Sequence, residues 1–482
     1  MQEMIKHYLV RISGEIVLKS ERTRASFERK LIRNIADMAK RRNIRNIKIV
    51  RGQARLFVKA PEEVESVLKR VFGIYSFSPV KPLEFENLED LAIKVEQEFK
   101  GLVSGRTFAV RVKRAGRHQF TSMDAARIIG ARLYKYSSGV NLKKPEVEVF
   151  VEIRDQTAYL YDRIIPGPGG LPIGVNGKAL SLFSGGFDSP VASWFAWKRG
   201  VALDFVYFNL GGADAVYRAV RVLKVLVENW CSGYSPKVHI IDFRPIVAQI
   251  MEKVKPFLKQ VVLRRFMYRA AQCIAREIKA HALVTGESLG QVSSQTLWNL
   301  SVEEEVLDIP VLRPLLGFDK QEIMDLARKI GTYDESSKVR EYCAIVTGRA
   351  ATRACLKEVK EEEEKIPADL LREAVNEREI YDIYKIDPID FLPQEDIVIN
   401  FIPEEAILID VRSRDEYDAW HPEKAIHIDD ISLNSLPRGK VVILYCESGE
   451  ISSELAKDLR EKGYIAYSFE GGVPQLRKRF CS

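Results

Sequence analysis

Apolar and polar positions in the first 165 residues alternate between the two-residue period of a strand and the longer period of a helix. Phe27, Leu31 and Ile35, for example, recur with helical spacing. These elements divide into two small α+β units, 1–73 and 74–165. The predicted helices are 26–38, 62–71, 91–99 and 122–136, and the predicted strands are 8–12, 47–50, 54–58, 107–112, 147–153 and 158–161.

A proline- and glycine-rich segment, 166–177, predicts a linker to a region with a different pattern. Beyond it, short apolar strands alternate with helices, and one long helical stretch is interrupted at Pro256. This alternation is typical of a parallel, doubly wound sheet, whose ligands bind at the carboxyl ends of the strands. The predicted strands are 179–183, 201–208, 238–243 and 282–286, and the predicted helices are 190–197, 215–230 and 357–365.

The last 79 residues restart an α/β pattern after a second linker, 384–403. Strands are predicted at 406–411 and 440–445, and a helix at 452–462. The predicted fold is therefore multidomain, α+β at the front and α/β behind. The predicted domains are 1–73, 74–165, 178–383 and 404–482.

Charge is uneven along the 482 residues. Residues 1–60 hold 16 Lys and Arg against 5 Asp and Glu, a net +11, and residues 61–175 hold 17 against 15, a net +2. A basic front end indicates a polyanion partner. A solvated basic helix is the alternative explanation of the same charges.

Cations also cluster in 111–120, where Lys113, Arg114 and Arg117 precede Phe120. Cations mixed with an aromatic residue suit contacts to RNA phosphates. They also suit an ordinary exposed hairpin. We name these three cations as candidate RNA-binding residues.

Cysteine spacing and hydropathy exclude several classes of protein. The six cysteines form no C-x-x-C pair, so a zinc site or a secreted disulfide framework is not expected. An apolar run of 18 residues is absent, and the N-terminus lacks a signal sequence. We expect a cytoplasmic protein without membrane contact.

The segment 184–190, Ser-Gly-Gly-Phe-Asp-Ser-Pro, follows a predicted buried strand and opens a predicted helix. Glycine lets backbone N–H groups approach phosphate oxygens, and a helix N-terminus favours anions. Ser189 is predicted to cap the helix, with Pro190 at its first position. The alternative is a glycine-rich turn of some other α/β protein.

Several separated motifs together resemble the tRNA uridine 4-sulfurtransferase family, also called 4-thiouridine synthetases. The loop 184–190 resembles the pyrophosphate loop of AMP-forming enzymes. The N-terminal part resembles that family's ferredoxin-like and THUMP RNA-binding domains, and the C-terminal part resembles a rhodanese domain. The other matching segments are 14–19, 111–120, 167–174, 285–296, 314–323, 341–343, 409–412, 416–417, 425–428 and 445–449.

The resemblance implies ATP and Mg²⁺ as cofactors and tRNA as the substrate. The implied reaction is adenylation of the uridine C4 oxygen at position 8, followed by sulfur transfer that gives 4-thiouridine. Asp188 is the implied catalytic residue of the loop. The implied ATP-binding residues are Leu182, Phe183, Ser184, Gly185, Gly186, Ser189, Tyr207, Phe208, Arg264, Gly286 and Gln295.

The same resemblance assigns roles to two cysteines. Cys446 is the implied persulfide carrier, because it occupies the position of the rhodanese thiol before a helix. Cys343 is the implied resolving cysteine, which forms a disulfide with Cys446, and Cys355 is the alternative for that role. Cys231, Cys273 and Cys481 are expected to be structural or incidental.

Departures from the family pattern affect the expected partners. Glu447 and Glu450 stand in the Cys446 loop, where rhodaneses that use thiosulfate often carry arginines, and 420–422 is Trp-His-Pro rather than Gly-His-Ile. We therefore expect a cysteine desulfurase as the sulfur donor. An external thiol reductant and a ThiS-like sulfur-carrier protein for thiamine synthesis are also implied, and a homodimer is left open.

Two other functions remain. One is an AMP-forming RNA-modifying enzyme with a different nucleophile, which the rhodanese pattern disfavours. The other is an RNA-binding sulfur carrier with a degenerate ATP site, which the intact loop 184–189 disfavours.

Overall fold

The computed structural model describes residues 5–292, 294–339, 351–393 and 396–480. It divides into two compact units, the first built mainly from 1–208 and 222–384 and the second mainly from 209–221 and 385–482. Within the described part of the chain, no helix is long and apolar enough to cross a membrane.

A nine-stranded sheet contains all the strands of the two predicted N-terminal units. Its strands are β1 (Ile5–Ile12), β2 (Lys48–Gly52), β3 (Arg55–Pro61), β4 (Ile74–Glu84), β5 (Thr107–Ala115), β6 (Gly139–Val140), β7 (Val147–Arg154), β8 (Thr157–Tyr161) and β9 (Ile165–Pro166). The order is β2-β3-β1-β4-β8-β7-β5-β6, with β9 beside β4. The long strand β4 pairs with β1 through its first half and with β8 through its second half. One strand therefore joins the two units.

Five helices cover this sheet: α1 (Gly14–Val17), α2 (Glu21–Arg41), α3 (Val64–Leu68), α4 (Leu88–Val103) and α5 (Ser122–Tyr134). Helix α2 buries Leu31, Ile35 and Met38, as their spacing predicts. Thr121 rather than Ser122 caps α5, because Thr121 and Asp124 form a reciprocal capping box. The helices enclose two apolar cores, one on each half of the sheet.

The predicted linker 166–177 is packed into the first unit. Gly167 N–H donates to Tyr75 O at 2.9 Å, and Leu171 N–H donates to Lys198 O at 2.9 Å. Leu171 and Ile173 are buried. Proline and glycine mark the change of pattern, but they do not reveal the hydrogen bonds that fix this segment.

A six-stranded sheet forms the rest of the first unit. Its strands are β10 (Lys178–Leu182), β11 (Ala202–Asn209), β12 (Lys237–Asp242), β13 (Leu283–Val284), β14 (Val311–Leu312) and β15 (Glu379–Asp382), in the order β14-β13-β10-β11-β12-β15. Strand β10 pairs in parallel with β11 and β13, and β13 with β14. The predicted parallel sheet is confirmed, while the antiparallel edge strand β15 was not predicted.

The helices of this region are α6 (Asp188–Lys198), α7 (Ala213–Trp230), α8 (Arg244–Lys253), α9 (Lys259–Glu277), α10 (Leu297–Glu304), α11 (Lys320–Ile330), α12 (Tyr333–Ser336), α13 (Leu356–Glu363) and α14 (Ala368–Asn376). Helices α8 and α9 are separated around Pro256, as predicted. The buried Phe72 contacts Trp194 and Trp230, with ring centroids 5.4 and 5.7 Å away. This aromatic cluster joins the nine-stranded sheet region to α6.

The second unit contains a five-stranded parallel sheet. Its strands are β16 (Val398–Ile399), β17 (Ile407–Asp410), β18 (Ala425–His427), β19 (Val441–Tyr445) and β20 (Ile465–Phe469), in the order β16-β20-β19-β17-β18, and its helices are α15 (Arg414–Ala419), α16 (Glu450–Glu461) and α17 (Gly472–Phe480). Ile443, Tyr445 and Leu476 are fully buried in its core. Strand β16 comes from the predicted linker 384–403, so part of that segment belongs to the sheet.

Candidate active sites

The loop between β10 and α6 is folded back on itself by a serine. Helix α6 begins at Asp188, and Phe187 occupies the N-cap position. The predicted cap, Ser189, was therefore wrong. Its hydroxyl lies inside the first turn and accepts hydrogen bonds from the N–H groups of Ser184 and Gly185 at 3.2 and 3.3 Å. Ser189 thus closes the loop against the helix start.

The carboxyl ends of neighbouring strands meet beside this loop. Because β10 and β11 are parallel, Phe183 follows β10 next to the end of β11, and its N–H donates to Val206 O at 2.9 Å. Phe183 and Phe208 are buried, against Phe205 and Phe243 respectively. Leu182, Phe183, Tyr207 and Phe208 therefore lie together, mainly as buried groups behind the loop.

The segment after β13 packs directly on the start of α6. A Cβ atom at Gly286 would lie 2.8 Å from the carbonyl carbon of Asp188 and 2.9 Å from the nitrogen of Ser189. Any side chain at this position would push the two segments apart. The structure therefore brings together Gly286 and the loop 184–189, which lie about a hundred residues apart in the sequence.

The Asp188 carboxylate is held by side chains from two other segments. Lys320 Nζ lies 3.1 Å from Asp188 Oδ1, and the Gln291 amide donates to Asp188 Oδ2 at 3.0 Å. Lys320 was not predicted as a site residue. It is the first residue of α11, where the helix dipole disfavours a cation, so its position could have indicated an acidic partner elsewhere.

Arg264 belongs to a buried cluster centred on Glu287. The Glu287 carboxylate accepts hydrogen bonds from Arg264 at 2.9 Å and Arg313 at 2.7 Å, and also from Tyr268. Burial opposes ionisation of Glu287, but these two guanidinium groups outweigh it and lower its pKa. Burial raises the pKa of the neighbouring Glu303 to about 8. Arg264 is thus held by Glu287, the residue that follows Gly286.

Polar atoms in 291–295 offer a test of whether the site fits a nucleotide. Gln291 Oε1, Ser294 Oγ and Gln295 Oε1 are buried and have no hydrogen-bond partner among the described residues. Buried polar atoms nearly always have a partner in native proteins, so these three fit a bound polar ligand. They lie in the segment whose Gln291 contacts Asp188.

A metal site made of protein side chains alone does not occur among the described residues, where no three His, Cys, Asp or Glu side chains cluster suitably. Mg²⁺ is often held by one or two carboxylates together with substrate phosphates. The Asp188 carboxylate fits this pattern.

Cys446 follows β19 and lies before α16 in a second strand–loop–helix arrangement. The thiol is buried, and its sulfur accepts a hydrogen bond from Gly449 N–H at 3.1 Å. The Ser452 hydroxyl lies 3.4 Å from the same sulfur. Burial opposes ionisation, but these groups and the N–H groups of Ser452 and Ile451 lower the pKa of the Cys446 thiol.

The charges around Cys446 are mostly acidic. Glu447 and Glu450 are exposed at the loop. Arg412 lies 3.8 Å from Glu447, but Asp410 holds the same guanidinium at 2.7 Å. The sequence-based expectation of an acidic loop is therefore confirmed, and the nearby arginine is paired.

The remaining candidate residues lie elsewhere or outside the described residues. Lys113, Arg114 and Arg117 are exposed at and beyond the end of β5. Cys343, like Cys481, lies outside the described residues. Cys273 and Cys355 are exposed, whereas Cys231 is buried, and burial raises the pKa of its thiol to about 12.

Four family profiles match successive parts of the chain. The profile described as "Thiamine biosynthesis protein (ThiI)" matches residues 174–368, and that of the ThiI ferredoxin-like domain matches 7–78. The THUMP domain profile matches 83–162, and the rhodanese-like profile matches 396–479. The fold and these profiles thus define a multidomain α/β enzyme with a THUMP domain and a rhodanese-like domain.

Whole-chain relatives identify the family. A protein named "tRNA sulfurtransferase" from Desulfurococcus amylolyticus is 44% identical over 98% of both chains. A "Probable tRNA sulfurtransferase" from Sulfurisphaera tokodaii is 43% identical, over 78% of this chain and 99% of its own. The chain belongs to the tRNA sulfurtransferase family and is an enzyme of that class.

A solved structure is similar to most of the chain. It is titled "Crystal structure of a 4-thiouridine synthetase - RNA complex with bound ATP". It has a TM-score of 0.68 and 32% sequence identity, and the match covers 78% of this chain and 99% of that one. The predicted multidomain fold is confirmed by this match and by the family profiles.

Proposed function

We propose that the protein converts uridine 8 of tRNA to 4-thiouridine, using ATP to activate the base and Cys446 to supply sulfur. The observation that carries this proposal is the presence, on one chain, of two loops that each join a buried strand to a helix N-terminus. One loop presents Asp188 with Lys320, and the other presents a thiol of lowered pKa. Family membership and the ATP and RNA named for the solved relative support the same proposal.

ATP is proposed to bind at the loop 184–189. The N-terminus of α6 and the Lys320 ammonium suit the phosphates. Gln291, Ser294 and Gln295 supply polar atoms that need a partner. Gly286 permits the close packing of the second segment, and the Arg264–Glu287 pair stabilises that segment. Leu182, Phe183, Tyr207 and Phe208 form the buried side of the site.

Mg²⁺ is proposed to be held by Asp188 together with the phosphates of ATP. It would neutralise phosphate charge when bound. Lys320 and Gln291 orient the Asp188 carboxylate before any ligand arrives, since both already contact it.

The tRNA substrate is proposed to contact the exposed cations Lys113, Arg114 and Arg117. Such contacts are to the backbone, so they position the RNA without reading its sequence. The uridine O4 atom then attacks the α-phosphorus of ATP, pyrophosphate leaves, and AMP becomes a leaving group on C4.

Sulfur is proposed to arrive through Cys446. The Cys446 thiolate attacks the outer sulfur of a cysteine desulfurase persulfide. The cysteine of the desulfurase leaves as a thiolate, and Cys446 becomes a persulfide. The terminal sulfur attacks C4 and displaces AMP. The Cys343 thiolate then attacks the Cys446 sulfur, which breaks the S–S bond, leaves sulfur on C4 and forms a Cys343–Cys446 disulfide.

The disulfide needs two electrons from an external thiol reductant before the next turnover. The acidic loop around Cys446 favours a protein donor over a small anion, because Glu447 and Glu450 repel anions. A ThiS-like carrier protein is proposed as a second acceptor of the same sulfur.

A single turnover without reductant tests this function. Persulfide-loaded protein is mixed with ATP and unmodified tRNA, and nucleosides, nucleotides and peptides are analysed by mass spectrometry. We expect equal amounts of 4-thiouridine, AMP, pyrophosphate and a 343–446 disulfide. Thiolation without ATP cleavage would contradict the proposal, and a 355–446 disulfide would move the resolving role to Cys355.

A further inference from the structure

An exposed aromatic residue lies on the first turn of α10, a few residues after Gln291, which contacts Asp188. The loop 184–189, which contains Asp188, is called the ATP loop below. Trp298 leaves 56% of its surface exposed, and the adjacent Leu297 leaves 65%. Arg353 lies over the Trp298 ring, with its guanidinium carbon 5.3 Å from the ring centroid. We refer to Leu297, Trp298 and Arg353 as the Trp298 platform.

The platform is built rigidly from two segments of the chain. Asn299 is fully buried, and its amide donates to Ser294 O at 3.0 Å and to Ala351 O at 2.6 Å. Its side-chain oxygen accepts from Ala354 N–H at 2.9 Å. Asn299 therefore holds the segment that carries Arg353 against the helix that carries Trp298.

A compact turn connects the platform to the ATP loop. Gly290 N–H donates to Gln295 O at 2.9 Å, which closes the turn that contains Gln291. Gln291 in turn donates to Asp188 at 3.0 Å. Trp298 is three residues beyond Gln295, so their Cα atoms are at most about 11 Å apart. The platform is thus connected, through this turn, to the residue that contacts Asp188.

The platform resembles a nucleobase-stacking surface more than an isolated cation–π contact at the protein surface. An exposed cation–π contact is weak and strengthens when it is shielded from water, so it does not by itself explain a half-exposed indole. Indole and guanidinium planes are the two groups on which unstacked RNA bases lie, and the guanidinium also attracts phosphate. Leu289 and Val292, in the segment before α10, are also exposed.

We propose that the Trp298 platform binds an unstacked nucleobase of the tRNA substrate and thereby holds the target region beside the ATP loop. This inference rests on the proposed function, because it takes tRNA as the substrate. It assigns Trp298 and Arg353 to RNA binding, in addition to the cations at the end of β5.

Fluorescence during tRNA titration tests the platform in the full-length protein. Trp194, Trp197 and Trp230 are buried, so stacking on Trp298 should dominate the quenching of tryptophan emission by tRNA. We expect Trp298→Phe to lose most of that quenching and to keep its tRNA affinity, since phenylalanine still stacks. Trp420→Phe is the matched control and should keep the quenching. Equal quenching in Trp298→Phe and wild type would overturn the proposal.

Kinetics supply the second readout. Trp298→Ala should raise the tRNA KM roughly 5- to 150-fold, the equivalent of one lost base stack. The ATP KM and the loading of Cys446 with sulfur should be unchanged. An unchanged tRNA KM would overturn the proposal. Slower sulfur loading with normal tRNA binding would also overturn it, and would indicate that the platform binds a protein partner. Absence of thiolation in the wild type would instead contradict the proposed function.

Discussion

The loop before α6 and the loop before α16 use the same backbone arrangement for different chemistry. Each follows a buried strand of a parallel sheet and ends at a helix N-terminus. At the first, Asp188 is paired with Lys320, and serine hydroxyls close the loop. At the second, a thiol takes the central position and acidic residues surround it.

We propose that each loop provides an anion site through its backbone and that the side chains select the anion. A lysine near the first loop suits a polyphosphate, which carries several charges. Around Cys446, Gly449 N–H and the Ser452 hydroxyl are enough to lower the pKa of one thiol. Glu447 and Glu450 would oppose a polyphosphate there.

Apart from removal of Asp188 or Cys446 themselves, the largest selective effects are expected from filling the space beside each loop. Gly472→Ala places a Cβ 2.3 Å from Cys446 O and adopts a positive φ of 55°, so both overpacking and left-handed strain apply. Gly286→Ala causes overpacking against Asp188 and Ser189 without left-handed strain. With about 1–3 kcal/mol of strain at each site, we expect the rate of the reaction at that site to fall about 5- to 150-fold. Gly472→Ala should lose sulfur loading, and Gly286→Ala should lose AMP formation.

Matched glycines serve as controls for this pair. Gly439 also has a positive φ, but nothing lies within 4 Å of its added Cβ, so Gly439→Ala tests left-handed strain alone. Gly317→Ala is the control for Gly286→Ala, because Gly317 has no positive φ and nothing lies within 4 Å of its added Cβ. If either loop variant lost both activities equally while remaining folded in a thermal melt, the division between the loops would be wrong.

A smaller effect is expected from the hydroxyl beside Cys446. Ser452→Ala removes a hydrogen bond that lowers the thiol pKa, so the thiolate should appear at higher pH than in the wild type. Alkylation of Cys446 at pH 7, followed by peptide mass spectrometry, should slow by up to about tenfold. Ser453→Ala is the control, because Ser453 bonds to Gly449 O and not to the sulfur. A shift to lower pH in Ser452→Ala would contradict this account.

Much of this comparison was accessible from the sequence, because strands and helices leave a local period. The parallel sheets, the loop 184–189 and the Cys446 loop all follow from that period and from short motifs. Contacts between distant segments do not. The link between Lys320 and Asp188 and the partners of Arg264 depend on tertiary packing, which no local pattern encodes.

The central claim is that phosphate chemistry belongs to the loop before α6 and sulfur storage belongs to Cys446. The direct measurement follows both reactions in one preparation, with radioactive sulfur from a cysteine desulfurase and tRNA-dependent AMP release from ATP. Asp188→Ala should load sulfur normally and release AMP about a hundred- to a thousandfold more slowly than the wild type, the loss typical when one electrostatically stabilising group is removed. Cys446→Ala should show the reverse, with no loaded sulfur and normal AMP release in the first turnover. Loss of sulfur loading in Asp188→Ala, or of AMP release in Cys446→Ala, would contradict the account.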